Sequence, residues 1–165
     1  MASQSNLSPS EAASIWKQYI QPLHKSGVRL GAPAVSAAPG GRTWLSQFIS
    51  ACNGCTFDFI PLHWYGDGSQ YFEQYVEDFH NQFKHPIWVT EWASTSSDPA
   101  SMSLSSLIGE AEADNLLAAA LQFLKDTTSF LDKTSYVERY SWFAFEVSDS
   151  LRNRILKSTH VTPHL

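Results

Sequence analysis

Hydrophobic positions along the chain follow two periods in turn, and the switches between them outline the elements. Ala12, Ile15, Trp16, Tyr19, Ile20 and Leu23 recur at helical spacing and predict one apolar helix face. Ser8 suits the cap of that helix, Pro9 its first turn and Glu11 the return arm of a capping box, while Gly27 follows its end. Residues 28–35 read as a short buried strand bent at Pro33, and Pro39-Gly40-Gly41 as a loop. Leu45, Phe48, Ile49 and Cys52 mark a second helix. Residues 57–65 predict a second strand, broken by Gly66-Asp67-Gly68. Phe72, Tyr75, Val76, Phe79 and Phe83 mark a third helix, and Pro86 precedes a third strand over 87–91. A Ser-rich stretch, 93–104, reads as a surface loop. A fourth helix follows, carrying Ala113, Leu116, Leu117, Ala120, Leu121 and Leu124, and then a last strand over 137–145.

Strands alternating with helices predict an α/β fold: a sheet of about four parallel strands with flanking helices. A complete (β/α)8 barrel takes about 250 residues. The 165 residues here therefore predict half a barrel or a small open sheet. Either has edges of unpaired backbone, which invite self-association.

Charge and cysteine usage narrow the partners. Eleven Lys and Arg stand against sixteen Asp and Glu, a formal charge of −5. That argues against nucleic acid, whose phosphates call for a basic surface. It leaves a neutral polysaccharide open. No apolar run is long enough for a bilayer, and residues 1–6 lack the basic start and apolar stretch of a signal peptide. Cys52 and Cys55 form a single CxxC with no second pair to complete a zinc site. The motif follows a predicted helix instead of opening one after a strand, so a structural disulfide or two free thiols is favoured over redox chemistry. Asn53-Gly54-Cys55 is a weak glycosylation acceptor. The chain has no GxGxxG, P-loop, GxSxG or HExxH, and neither cofactor nor metal is expected.

Ionisable and aromatic residues gather at three strand ends: His63-Trp64-Tyr65, Thr90-Glu91-Trp92, and Trp142-Phe143 running to Glu146. In parallel α/β folds that is where active sites lie. Aromatic faces suit the apolar C–H face of a sugar, and a carboxylate among them suits glycosyl transfer to water. Glu91 is the sharpest candidate. Strict alternation puts it on one face with Ile87 and Val89. Its plain alternative is a strand-end glutamate that accepts a hydrogen bond. His63 and Tyr65 share a face and are placed to aim a neighbouring carboxylate, or to be a satisfied core histidine and a surface tyrosine. Trp64 points the other way. Trp142 suits the floor under a sugar ring or the core. Asp67, Glu110 and Asp149 read as solvated, and Glu146 as ambiguous.

The stretches Phe57-Asp58-Phe59-Ile60-Pro61-Leu62-His63-Trp64-Tyr65, Pro86-Ile87-Trp88-Val89-Thr90-Glu91-Trp92 and Arg139-Tyr140-Ser141-Trp142-Phe143 together resemble glycoside hydrolase family 128, which has fungal cell-wall members. Leu30-Gly31-Ala32-Pro33-Ala34-Val35 and Cys52-Asn53-Gly54-Cys55-Thr56 fit as well. The resemblance implies a partial (β/α)8 TIM-type barrel over 1–146, the later half of a retaining β-1,3-glucanase. It implies Glu91 as nucleophile, with His63, Trp64, Tyr65, Trp92 and Trp142 lining a β-1,3-glucan cleft. It implies an extracellular or cell-wall setting. The family's acid/base glutamate sits in an Asn-Glu-Pro motif after the fourth strand, and no Asn-Glu-Pro occurs here. The first four strands are thus expected to be absent and activity alone to be impaired. That leaves a glucan-binding module or an inactive piece as the alternative readings. Residues 147–165 depart from the family and read as an irregular tail.

Overall fold

The structure, a computed structural model, describes residues 5–95 and 110–143. Three parallel strands form one sheet in the order β1 (Ile60–Tyr65), β2 (Ile87–Ala93), β3 (Val137–Trp142). Helix α3 (Ser69–Phe83) joins the first two strands, and α4 (Glu110–Lys133) precedes the third. An N-terminal helical run, beginning with α1 (Pro9–Ile15), packs on α2 (Pro39–Ala51).

The helical layer is built from stripes that match the helix repeat. Phe72, Val76 and Phe79 of α3 and Phe123, Thr127 and Leu131 of α4 are all buried. They meet Ile60, Leu62, Ile87 and Val89, each fully enclosed in the same core. Each such side chain contributes about 1.5–3 kcal/mol by leaving water. Trp16, Phe48 and Phe57 form a second aromatic nest under α1 and α2, with ring centroids 5.2–5.7 Å apart.

Four expectations need correction. The first helix is capped as read, with Ser8 and Glu11 forming the capping box. It does not run on as one α-helix. A π-helical stretch, Trp16–Ile20, and a 3-10 stretch, Gln21–Ser26, replace its second half. The apolar stripe is broken along this run: Ile15, Tyr19 and Leu23 are exposed, and only Ala13 and Trp16 are buried. Pro39-Gly40-Gly41 is the first turn of α2, because Pro39 fits a position whose N–H needs no partner. Residues 28–35 are no continuous strand. They touch the β1 side through two isolated parallel bridges, Gly31 to Phe59 and Val35 to Leu62. Pro33 and, between the bridged positions of the opposite segment, Pro61 have no N–H to give a ladder. About four strands are thus three, plus a bridged segment, among the described residues. Glu146 and Asp149 lie outside those residues, as does the tail from 147.

The CxxC resolves as a disulfide between Cys52 and Cys55, at the C-terminal end of α2. Cys52 is buried in the core.

Candidate active site

The site is set by an irregularity in β2. Leu62 pairs with Val89, but the next residue, His63, pairs with Glu91. One residue is therefore extra, and the strand carries a β-bulge at Thr90. Up to Val89 the odd-numbered side chains of β2 enter the helix layer, where Ile87 and Val89 are fully buried. Past the bulge the parity reverses. Trp92 enters the helix layer at 1% exposure, and Glu91 turns to the face that the helices leave open. Simple alternation, which grouped Glu91 with Ile87 and Val89, is corrected by that one inserted residue.

On the open face Glu91 meets the two residues expected beside it. Tyr65 Oη donates to Glu91 Oε2 at 2.7 Å. His63 Nε2 lies 3.6 Å from Glu91 Oε1, within ion-pair range when the imidazole is protonated. Burial, then the hydrogen bond to Glu91, then the carboxylate's charge raise the Tyr65 phenol above the ordinary tyrosine range. Tyr65 therefore stays a donor to the Glu91 carboxylate. Phe143, part of the third strand-end cluster but given no role of its own, closes the group. Its ring stands edge-to-face with Tyr65 at 5.4 Å, and both rings are nearly half exposed, at 46% and 48%. The backbone N–H of Phe143 donates to Trp92 O at 3.0 Å, which pins it to the end of β2. A carboxylate, a phenol, an imidazole and two open aromatic faces can hold a sugar and present a nucleophile to it.

The three tryptophans expected in a cleft stand elsewhere. Trp92 donates its indole N–H to Thr127 Oγ1 of α4 at 3.1 Å and is buried. Trp142 packs edge-on against Trp92 at 5.3 Å and near Phe123 of α4. Trp64 rests against Phe72 and Tyr75 of α3. All three are drawn to the helix layer by the parity of their strands and do not meet Glu91.

Asp67, read as solvated, is exposed yet bonded. Ser94 Oγ donates to its Oδ1, and Thr95 Oγ1 to its Oδ2 at 2.5 Å. The turn after β1 is thereby tied to the end of β2, next to Glu91. At the opposite end of the sheet, Trp88 stacks on Phe59 at 3.8 Å beneath the Arg29 and Arg139 guanidinium groups. Glu138 accepts from Trp88 Nε1 at 2.8 Å and Arg29 at 2.7 Å, which hold its carboxyl below the ordinary range. No group of three or more His, Cys, Asp and Glu suited to a metal occurs among the described residues. No helix there is long and apolar enough to cross a membrane.

A family profile described as the glycosyl hydrolase catalytic core matches residues 1–163. The chain belongs to that family. Within it, the relatives are those of glycoside hydrolase family 128, as the motif stretches implied. Alkali-sensitive linkage protein 1 of Schizosaccharomyces pombe is 42% identical over 135 residues, 81% of this chain and 23% of that protein. A family 128 (subgroup IV) endo-β-1,3-glucanase from Lentinula edodes is 33% identical with a TM-score of 0.67, over 94% of this chain and 53% of that one. A subgroup I endo-β-1,3-glucanase from Amycolatopsis mediterranei, in complex with laminaripentaose, is 34% identical with a TM-score of 0.64, over 87% and 57%. A subgroup VI exo-β-1,3-glucanase from Aureobasidium namibiae is 26% identical with a TM-score of 0.72, over 89% and 53%. This family 128 chain thus spans about half the length of those structures and less than a quarter of the yeast protein.

Proposed function

We propose that the chain is the nucleophile-bearing portion of a β-1,3-glucan hydrolase barrel, with Glu91 as the nucleophile. The observation that carries this is the turning of Glu91 onto the open face, where Tyr65 and His63 aim it. Relatives whose names describe β-1,3-glucanases supply the substrate class. In the proposed step a Glu91 oxygen bonds to the anomeric carbon while the glycosidic C–O bond breaks. The leaving oxygen takes a proton from a second carboxylic acid, and water later releases the glycosyl group with retention. Tyr65 and His63 orient Glu91. Phe143 supplies an apolar face for a glucose ring.

The proton donor limits the chain. The partners of Glu91 among the described residues are a phenol and an imidazole, not a carboxyl. General acid help is worth about 10²–10⁴-fold. The 165-residue chain by itself is therefore expected to release little reducing sugar from laminarin. A 2-deoxy-2-fluoro-laminaribiosyl fluoride removes that demand, because fluoride leaves without a proton. It should glycosylate Glu91, seen as a mass increment on the peptide that contains it and absent from Glu91→Gln. An unmodified Glu91 peptide would sink the nucleophile assignment. Robust laminarin hydrolysis abolished by Glu91→Gln would sink the claim of a missing acid. The disulfide supports an oxidising, extracellular or cell-wall setting. The same observation about the missing carboxyl favours a second reading, a glucan-binding element that holds the polymer without cutting it.

A further inference from the structure

On the other side of β1 from Glu91, a cavity of about 370 Å³ opens between the start of α2 and the exposed side of α3. That volume falls within the range of small-ligand clefts. Four rings line it, the buried Phe79 among them. Trp64 and Tyr75 lie 5.2 Å apart at a tilt, and Tyr71 stands 64% exposed beside them. Tyr71 is held by the backbone beneath it. Gly68 has φ +84, and a β-carbon there would come within 2.8 Å of the Tyr71 ring. Only a glycine leaves room for the ring in that position.

Ala37, Ala38 and Pro39 add apolar wall, and Arg42, Gln74 and Asp78 add a polar one. Arg42 Nη1 donates to Asp78 Oδ2 at 3.1 Å, and Gln74 Nε2 donates to Asp78 Oδ1 at 3.1 Å. Asp78 thereby fixes both groups. It leaves the Gln74 carbonyl oxygen as an acceptor and the other Arg42 N–H groups as donors. The Tyr75 hydroxyl is buried with no hydrogen-bond partner among the described residues, and burial raises its pKa. An orphaned hydroxyl of this kind is the exception in folded proteins.

Aromatic faces beside fixed amide, guanidinium and carboxylate groups match one ligand chemistry. A pyranose offers an apolar C–H face and a rim of hydroxyls that both donate and accept. A phosphate or a carboxylate would meet Asp78, and an apolar peptide would bury the polar wall unpaired.

We propose that this cavity is a secondary saccharide-binding site, separate from the Glu91 face and reached from the same end of the sheet. Its ligand is a β-linked glucan chain, and that choice of glycan rests on the function proposed above. The turn after β1, residues 66–68, separates Tyr65 on the open face from Tyr71 at the cavity. One long polymer can therefore engage both faces, and the second contact is then made at high effective concentration. Tethering of that kind favours long chains over short ones.

Affinity electrophoresis in gels containing laminarin tests this, with the whole chain and four variants. Tyr71→Ala and Gln74→Ala change exposed side chains, and unchanged thermal unfolding is the control for both. Phe143→Ala and Glu91→Gln alter the open face. The expected result is a rise of about tenfold in the apparent dissociation constant for Tyr71→Ala, the scale of an aromatic anchor, and a smaller rise for Gln74→Ala. Repeating the titration with laminaribiose should remove most of the advantage of the two-site protein. Laminarin retention unchanged in both Tyr71→Ala and Gln74→Ala overturns the secondary site. If only Phe143→Ala weakens retention, the open face stands as the glucan site without it. If only the Tyr71 and Gln74 variants weaken retention, the secondary site stands and the open-face assignment fails.

Discussion

Three atoms fix the behaviour of Glu91: its own two oxygens and the phenolic oxygen of Tyr65. The phenol's pKa is raised, chiefly by burial. A raised phenol keeps its proton at a pH where free tyrosine, near 10, begins to lose it. Tyr65 thus remains a donor through mildly alkaline pH. The rate of glycosylation by the fluoro-sugar should be flat from about pH 8 to about pH 10 on this account. Tyr65→Phe keeps the ring against Phe143 but removes the donor, and should slow glycosylation about tenfold through loss of orientation. Stopped-flow release of fluoride measures both, and an unchanged Tyr65→Phe rate would show that the hydrogen bond is incidental. The sequence marked Glu91, His63 and Tyr65 because they end two strands. It could not mark Phe143 as their partner, since Phe143 meets Tyr65 only through the pairing of β3 with β2.

At the scale of elements, what was legible followed from periodicity, and what was not followed from breaks in it. The helices α2, α3 and α4 carry regular apolar stripes, and all three form. The N-terminal run also has such a stripe, yet it changes helix type part-way and half of the stripe lies at the surface. A strand over 28–35 was expected from apolar content alone. Two prolines deny it a ladder, and one of them, Pro61, lies in the neighbouring strand. The bulge in β2 is invisible to alternation, because an inserted residue leaves the letters on either side unchanged. It moved Glu91 to the open face and Trp92 into the core. There Trp92 depends on Thr127, whose hydroxyl accepts from the indole and donates to Phe123 O at 2.7 Å. Thr127→Val keeps the shape and strands the indole N–H. It should cost about 1–3 kcal/mol, the penalty for an unsatisfied buried donor. Urea denaturation followed by tryptophan fluorescence measures that loss, and a difference near zero would mean that water or another acceptor takes the place of Thr127.

For the molecule as a whole, the helices cover one face of the sheet and leave Tyr65 and Phe143 exposed on the other. The far edge of β3 pairs with no further strand among the described residues. That edge, open among the described residues, and the aromatic surface together favour association between copies. Sedimentation velocity across the micromolar range should show a mass that rises with concentration, and a constant monomer would refute self-association. The family resemblance came from stretches spread along 143 residues in order, and the comparisons bear it out at that level. The secondary cavity had no such signature. Its walls come from the start of α2, from α3 and from Trp64 of β1, which are brought together only by folding.

The extra residue at Thr90 also bears on how genes of this kind are read. A one-codon deletion there would leave Glu91 and Trp92 adjacent and the motif recognisable to the eye. Regular alternation would then carry Glu91 from Val89 straight to the same open face, still opposite His63. A one-codon insertion beside Thr90 would instead flip the acid group into the helix layer, and such a gene product would keep its recognisable letters and lose its exposed carboxylate.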